Sequence, residues 1–191
     1  ALPDEIQVVL VGDEDQLPSV GPGQVLADLL ESRTVPVVEL TDVFRQADGS
    51  SIVALAHQIK RGQLVEDISQ PKPDRRFFPC PGEQVVDLVC QVCQSAVKKG
   101  YTPKEIQVLA PLYKGSAGID ALNIALQQTF NPSAPEKRQL EVKGQFFRVG
   151  DKVLQLVNNV EQSVFNGDIG EVAGILPAGE TGEREDQLVV T

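Results

Sequence analysis

The chain has 191 residues, of which 41% are hydrophobic and 23% charged, a composition typical of a globular protein and not of a disordered one. Its formal net charge of −10 disfavours binding of a nucleic-acid duplex through a broad basic face. No apolar run approaches the roughly 20 residues of a membrane-spanning helix, and three cysteines without a disulfide spacing predict a reducing, cytoplasmic setting.

The first 130 residues alternate between predicted strands and predicted helices. Residues 6–11, 35–40 and 106–110 are short apolar runs of the kind found in buried parallel strands. Helical spacing of apolar residues occurs at 25–32, 52–59, 85–97 and 119–130. This alternation predicts an α/β fold with a parallel sheet. The proline-rich segment 63–82 predicts a long loop that is functional or mobile.

The pattern changes after a Pro/Ser-rich linker at 131–135. Short β-forming runs separated by turn signals occur at 145–149, 152–157, 169–176 and 187–190. We expect a small antiparallel β unit that is too short to close a barrel by itself. The chain contains no methionine and both of its ends fall next to predicted strands, so we expect an internal fragment of a larger protein.

The stretch GDEDQLPSVGPG, residues 12–23, follows the first predicted strand. In open α/β sheets, ligands bind at the carboxyl ends of the strands, where such a loop projects. Asp13 could hold a water molecule on a metal ion, and Gln16 could hydrogen-bond a phosphate while staying neutral at every pH. A plain strand-to-helix turn is nevertheless the more common use of a single Gly-Asp pair.

A second loop, PLYKGSAG at 111–118, also leads from a predicted strand into a helix. The amides at the start of that helix could take a phosphate. Lys114 adds a positive charge, and Tyr113 could stack on a base of single-stranded DNA. The loop also contains Pro111 and Gly115. An ordinary connecting loop is the alternative.

Other polar residues give weaker signals. Asn159 and Asn166 lie near predicted turns and could contact a nucleic-acid backbone, although asparagine is also a usual turn residue. Cys90 and Cys93 lie in an amphipathic helix and are interpreted as structural, since free cysteines are commonly core residues. With a single histidine, His57, in another helix, no metal site is expected.

GDEDQLPSVGPG closely resembles the third motif of superfamily-one helicases of the RecD type. The resemblance continues through 25–62, where Phe44-Arg45-Gln46 is similar to the fourth motif, and resumes at VLAPLYKGSAGIDALNIALQQTFNP. It ends with FRVGDKVLQLVNNVEQSVFNGDIGEV, which is similar to the SH3-like insertion of these helicases. It leaves out the loop at 63–82, the helix with the cysteines and the last fifteen residues.

The resemblance implies a RecA-like motor lobe with a parallel sheet, followed by a partial SH3-like antiparallel β unit. Residues 1–23 would be the last strand and third motif of a first RecA-like lobe. Residues 24–135 would form part of the second lobe, and 136–191 an incomplete SH3-like domain.

The resemblance also implies an ATP-dependent DNA helicase that moves 5′ to 3′ along single-stranded DNA, with ATP and Mg²⁺ bound between two lobes. Gln16, beside Gly12 and Asp13, matches the glutamine that senses the γ-phosphate. Arg45, followed by Gln46, matches the arginine that reaches this phosphate from the second lobe. A guanidinium suits this role because it stays charged and can donate two parallel hydrogen bonds to developing negative charge.

Two elements of such a motor are missing from the sequence. No GxxxxGK[ST] phosphate-binding loop occurs, and Asp4-Glu5 does not fit the family's Mg²⁺-binding acidic pair because no apolar strand precedes it. We therefore expect no cofactor on the fragment alone and no ATP hydrolysis by it. Single-stranded DNA and the subunits of a nuclease complex are the expected partners, with no membrane. The alternatives are the helicase region of a conjugative relaxase and a degenerate motor lobe that serves as an interaction module.

Overall fold

The computed structural model describes residues 3, 5–14, 16, 21–40, 49–63, 66–182 and 185–191. The chain divides into two compact units, Ala1–Pro79 and Cys80–Thr191. The α-helices of the described residues are α1 (Val25–Ser32), α2 (Ser51–Lys60), α3 (Val85–Lys98), α4 (Ile119–Phe130) and α5 (Ala178–Thr181). Their strands are β1 (Gln139–Val142), β2 (Gln145–Arg148), β3 (Lys152–Leu154), β4 (Ile169–Leu176) and β5 (Gln187–Val190).

The described residues of the first unit include two of the predicted helices but not the predicted sheet. α1 and α2 form where the apolar residues repeat at helical spacing. Residues 6–11 and 35–40 belong to no helix or strand, and they pair with no strand among the described residues. Their side chains are exposed, to 93% at Val11 and 89% at Val38. The prediction of a parallel sheet is thus not met in the described part of the chain, because a strand also requires a neighbour to pair with.

In the second unit, α3 and α4 pack together, with Cys93 and Leu122 each only 4% exposed. The structural interpretation of Cys93 is confirmed, and burial raises the pKa of its thiol, with a smaller contribution from Cys90. The third predicted strand, 106–110, forms no strand and has no ladder partner among the described residues, and Leu109 is 88% exposed.

The remainder of the second unit is an antiparallel β structure, as predicted. β1 and β2 form a hairpin whose register pairs Leu140 with Phe147. Lys143 and Gly144 form its turn with positive φ angles of 50° and 81°, as a two-residue hairpin turn requires. A second sheet has the order β3–β4–β5. Val172 and Ile175 of β4 are 0% and 5% exposed and form its core.

Some details differ from the predicted boundaries. β1 and the one-turn helix α5 were not predicted from the sequence. β3, predicted as 152–157, ends at Leu154. After it, Gln155 instead exchanges backbone hydrogen bonds with the turn before β4, donating to Asp168 and accepting from Gly167, both at 2.9 Å.

A buried carboxylate joins α4 to the β structure. Asp151 is 8% exposed and accepts hydrogen bonds from Gln127 Nε2 at 2.5 Å, Asn131 Nδ2 at 2.7 Å and the backbone amide of Arg148 at 2.7 Å. Its backbone carbonyl accepts from the Val172 amide at 2.9 Å. A buried charge is tolerated only when it is well hydrogen-bonded, so this arrangement fixes where the helix meets the strands.

Asp151→Asn should destabilise the chain by about 2–3 kcal/mol, because it removes a charge-assisted acceptor and aims an amide donor at buried donors. Urea unfolding followed by circular dichroism measures the change. Glu161→Gln, a substitution at an exposed position, is the control and should shift the free energy of unfolding by less than about 0.5 kcal/mol. Equal effects of the two substitutions would contradict the role assigned to Asp151.

Candidate nucleotide and nucleic-acid sites

The segment that follows residues 6–11 brings Asp13 and Gln16 together. Gln16 Nε2 donates to Asp13 Oδ2 at 3.1 Å, and the backbone amide of Gln16 donates to the Asp13 carbonyl at 3.4 Å. Both residues are exposed. Gly12 lies against α1, where an added Cβ would be only 2.8 Å from Leu26 Cδ2. The segment therefore packs closely on the helix and presents a carboxylate and an amide side by side.

The other predicted nucleotide-binding residues, Arg45 and Gln46, lie outside the described residues, as does Phe44. Their predicted roles are therefore untested by the geometry. The described chain resumes at Gly49, directly before α2.

The start of α2 is capped by Asp74, a residue that sequence reasoning did not select. Its Oδ2 accepts from Ser50 Oγ at 2.8 Å and from the Ser51 amide at 2.9 Å, and its Oδ1 accepts from Ser51 Oγ. These hydrogen bonds, those from Ser51 first, lower the pKa of Asp74 from 3.8 to about 2. A negative charge beside a helix N-terminus is favourable, so Asp74 ties the predicted loop at 63–82 to the beginning of α2.

A cavity of about 580 Å³ opens beside this cap. It is lined by Gly49, Ser50, Ser51, Ala54, Leu55, Gln58, Glu66, Asp67, Lys72 and Arg75. Asp67 binds Lys72 Nζ at 2.5 Å and Arg75 Nη2 at 3.3 Å, and the hydrogen bond from Lys72 is the main cause of its lowered pKa. The lining contains two carboxylates, Glu66 and Asp67, and two cations, Lys72 and Arg75, so its formal charge is balanced. The sequence signal that could have found it is the charged run in 66–76.

The loop at 111–118 folds back onto the start of α4. The amides of Ile119 and Asp120 donate to the carbonyls of Leu112 at 2.9 Å and Tyr113 at 3.1 Å. The expectation that amides at this helix start take a phosphate is therefore wrong for these two, since their hydrogen atoms already have acceptors within the loop. Two glycines allow the fold: Gly115 has a φ of +101°, and a Cβ on Gly118 would be 2.5 Å from the Tyr113 carbonyl oxygen.

The side chains of this loop remain available for contacts. Tyr113 is 66% exposed, while Lys114 Nζ pairs with Asp120 Oδ2 at 2.7 Å. The hydrogen bond with Asp120, together with its charge, raises the pKa of Lys114. Pro111 and Gly115 are exposed as well. The loop thus offers an aromatic ring and one cation, which are the two groups that a single strand requires.

The two asparagines are turn residues in the structure. Asn159 Oδ1 accepts from the Gln162 amide at 3.2 Å, and its backbone pairs with that of Val164. Asn166 is exposed, and its backbone amide donates to Asn158 Oδ1 at 2.8 Å. These bonds support the turn interpretation, above all for Asn159, whose side-chain oxygen is already engaged.

Neither a metal cluster nor a membrane span is evident in the described part of the chain. The described residues contain no group of three or more His, Cys, Asp or Glu side chains placed to hold a metal ion. No helix among them is long and apolar enough to cross a membrane.

Comparison with known proteins identifies two families in one chain. Residues 122–191 match the SH3 domain of ATP-dependent RecD-like DNA helicases, and residues 1–75 match an AAA domain. The ATP-dependent RecD2 DNA helicase of Deinococcus radiodurans is 35% identical over 172 residues, which are 90% of this chain and 22% of that protein. The RecBCD enzyme subunit RecD of Mycolicibacterium smegmatis is 29% identical over 188 residues, with coverage of 90% and 32%.

The chain is thus similar to RecD-like helicases over most of its length. It spans about a fifth of the length of the first relative and about a third of the second. Within the chain, the AAA match includes the Asp13–Gln16 pair and the cavity beside α2. The SH3 match begins inside α4 and includes Gln127, Asn131 and Asp151.

The cap on α2 should make stability depend on pH. Because the folded pKa of Asp74 is lowered to about 2, its contribution is present above the unfolded value of about 3.8 and is lost as pH falls through about 2. The urea-unfolding midpoint of the wild-type chain should therefore exceed that of Asp74→Asn at about pH 5, and the two should converge near about pH 2. A difference that stays constant over this range would contradict the assignment.

Proposed function

We propose that this chain is part of an ATP-dependent DNA helicase of the RecD type that moves 5′ to 3′ along single-stranded DNA. The observation that carries the proposal is the order of the two family matches along one chain, AAA domain first and RecD-like SH3 domain second. We assign 1–23 to the end of a first RecA-like lobe, 24–135 to a second lobe and 136–191 to an SH3-like domain. The two relatives support the helicase proposal by their alignment over 90% of the chain.

The nucleotide chemistry of this proposal rests on three side chains. Gln16, held 3.1 Å from Asp13, is the proposed sensor of the γ-phosphate, because a neutral amide can report a phosphate without changing charge. Arg45 is the proposed group that stabilises the charge developing on that phosphate. ATP with Mg²⁺ supplies the phosphoryl group when bound. The chain has no GxxxxGK[ST] segment, so its contribution is to sense the terminal phosphate.

The proposed contact with DNA is the loop 111–118. Tyr113 is exposed to 66% and offers a ring on which a base can stack, while Lys114 offers a charge for a phosphate. Asn159 and Asn166 are secondary candidates, because their nearby hydrogen bonds support turns. A cytoplasmic location and association with nuclease subunits are part of the same proposal, and the similarity to a subunit of the RecBCD enzyme supports the association.

Arg45→Ala in the complete helicase should lower kcat for DNA-stimulated ATP hydrolysis by about 1,000-fold, because an arginine at the transferring phosphate stabilises the transition state. Affinity for single-stranded DNA should change by less than about twofold, because the effect falls on the chemical step. A coupled ATPase assay and fluorescence anisotropy measure the two quantities. Arg61→Ala, which removes the same charge at the end of α2, is the matched control. Full ATPase activity in the Arg45 variant would refute the proposal.

A further inference from the structure

The loop 111–118 and α4 together carry one cation and one anion. In residues 111–130 the charged side chains are Lys114 and Asp120, and they are paired with Nζ and Oδ2 2.7 Å apart. The net charge of the segment is therefore zero. A phosphate of single-stranded DNA would have to compete with this carboxylate for the same ammonium group.

The backbone holds the two residues in position to pair. The Asp120 amide donates to the Tyr113 carbonyl at 3.1 Å, and the neighbouring Ile119 amide donates to Leu112 at 2.9 Å. These bonds fix the residue before Lys114 against the first turn of α4. The backbone of the loop therefore places Lys114 close to Asp120, so the flexible lysine side chain needs little reorientation to form the ion pair.

The exposure of the pair allows exchange. The Lys114 side chain is 90% exposed, whereas that of Asp120 is 32% exposed. An incoming strand can therefore reach the ammonium without moving the backbone. Exposed ion pairs are weak, so a phosphate can displace the carboxylate, and after exchange the carboxylate is left next to the bound strand.

We propose that the carboxylate of Asp120 competes with DNA phosphates for the ammonium group of Lys114 and so weakens the binding of single-stranded DNA. The proposal rests on the DNA contact in the proposed function. Asp120 is a positioning residue. Its carboxylate holds the ammonium group of Lys114 until a DNA phosphate replaces the carboxylate, and the carboxylate then repels that phosphate.

The test uses the complete helicase and fluorescein-labelled oligothymidylate, with Kd measured by anisotropy over a series of NaCl concentrations. Asp120→Asn keeps the shape of the side chain and should tighten binding about threefold at low salt. The slope of log K against log[NaCl] should become steeper by up to about 0.7. In the variant, Lys114 no longer gives up the Asp120 carboxylate when it binds a DNA phosphate. A purely structural role for Asp120 would not change this slope.

Two further variants make the test specific. Lys114→Gln should weaken binding about threefold, and adding Asp120→Asn to it should give no gain, since the carboxylate then has no cation to hold. Asp87→Asn removes an equivalent charge from the first turn of α3 and should leave both affinity and slope nearly unchanged. This matched control separates the pair from the overall charge of the protein.

The outcomes distinguish the two levels of proposal. If Lys114→Gln weakens binding but Asp120→Asn leaves affinity and slope unchanged, the inference about Asp120 is overturned while the DNA contact stands. A gain from Asp120→Asn that persists in the Lys114→Gln background also overturns it, because general repulsion would then explain the gain. If Lys114→Gln has no effect, the inference about Asp120 and the proposed contact of Lys114 with DNA are both wrong, while the proposed stacking on Tyr113 is unaffected.

Discussion

The second unit depends on the burial of one carboxylate. Asp151 lies where the chain turns between β2 and β3, and its two oxygens are satisfied by Gln127, Asn131 and the Arg148 amide. Because an ionised group without such partners would be too costly to bury, the helix and the strands must adopt this one arrangement together. Arg148 adds to it by donating from Nη1 to the Asn131 carbonyl at 3.1 Å. The junction is thus specified by polar complementarity, and the apolar contacts around Val172 need only fill the remaining space.

α4 connects this carboxylate to the loop 111–118. The helix has 12 residues and is therefore about 18 Å long. Its C-terminal end is held by Asp151, and its N-terminal end holds the loop with Tyr113 and Lys114. On the proposed function, a displacement of the SH3-like strands would be transmitted through α4, as one rigid element, to the loop 111–118 that contacts DNA. Lys152 adds a second tie, since its ammonium donates to the carbonyls of Lys104 at 2.9 Å and Ile106 at 2.8 Å.

Local features of the fold could be predicted from the sequence, and features that depend on distant partners could not. The apolar spacing of α1 and α2 and the turn signals of the β unit are local, so these elements were predicted. The parallel sheet requires neighbours for 6–11 and 35–40, and the described residues do not supply them. The buried role of Asp151 could not be predicted from the sequence, because its side-chain partners Asn131 and Gln127 lie 20 and 24 residues earlier. Asp74 was missed for the same reason, since it caps a helix that begins 23 residues before it.

The charge of the chain constrains how it could hold a polyanion. With a net charge of −10, the long-range field repels nucleic acid, and attraction must come from groups within about 10 Å, the screening length at moderate salt. At the 111–118 loop the single cation is already paired with Asp120, so on the proposed function the exposed ring of Tyr113 would provide the attraction that does not depend on charge. Stacking of this kind tolerates any base sequence. A motor that advances along a strand has to release each phosphate as readily as it binds the next one. A weak, exchangeable ion pair beside a stacking surface meets that requirement better than a strongly basic groove, from which the strand would dissociate slowly.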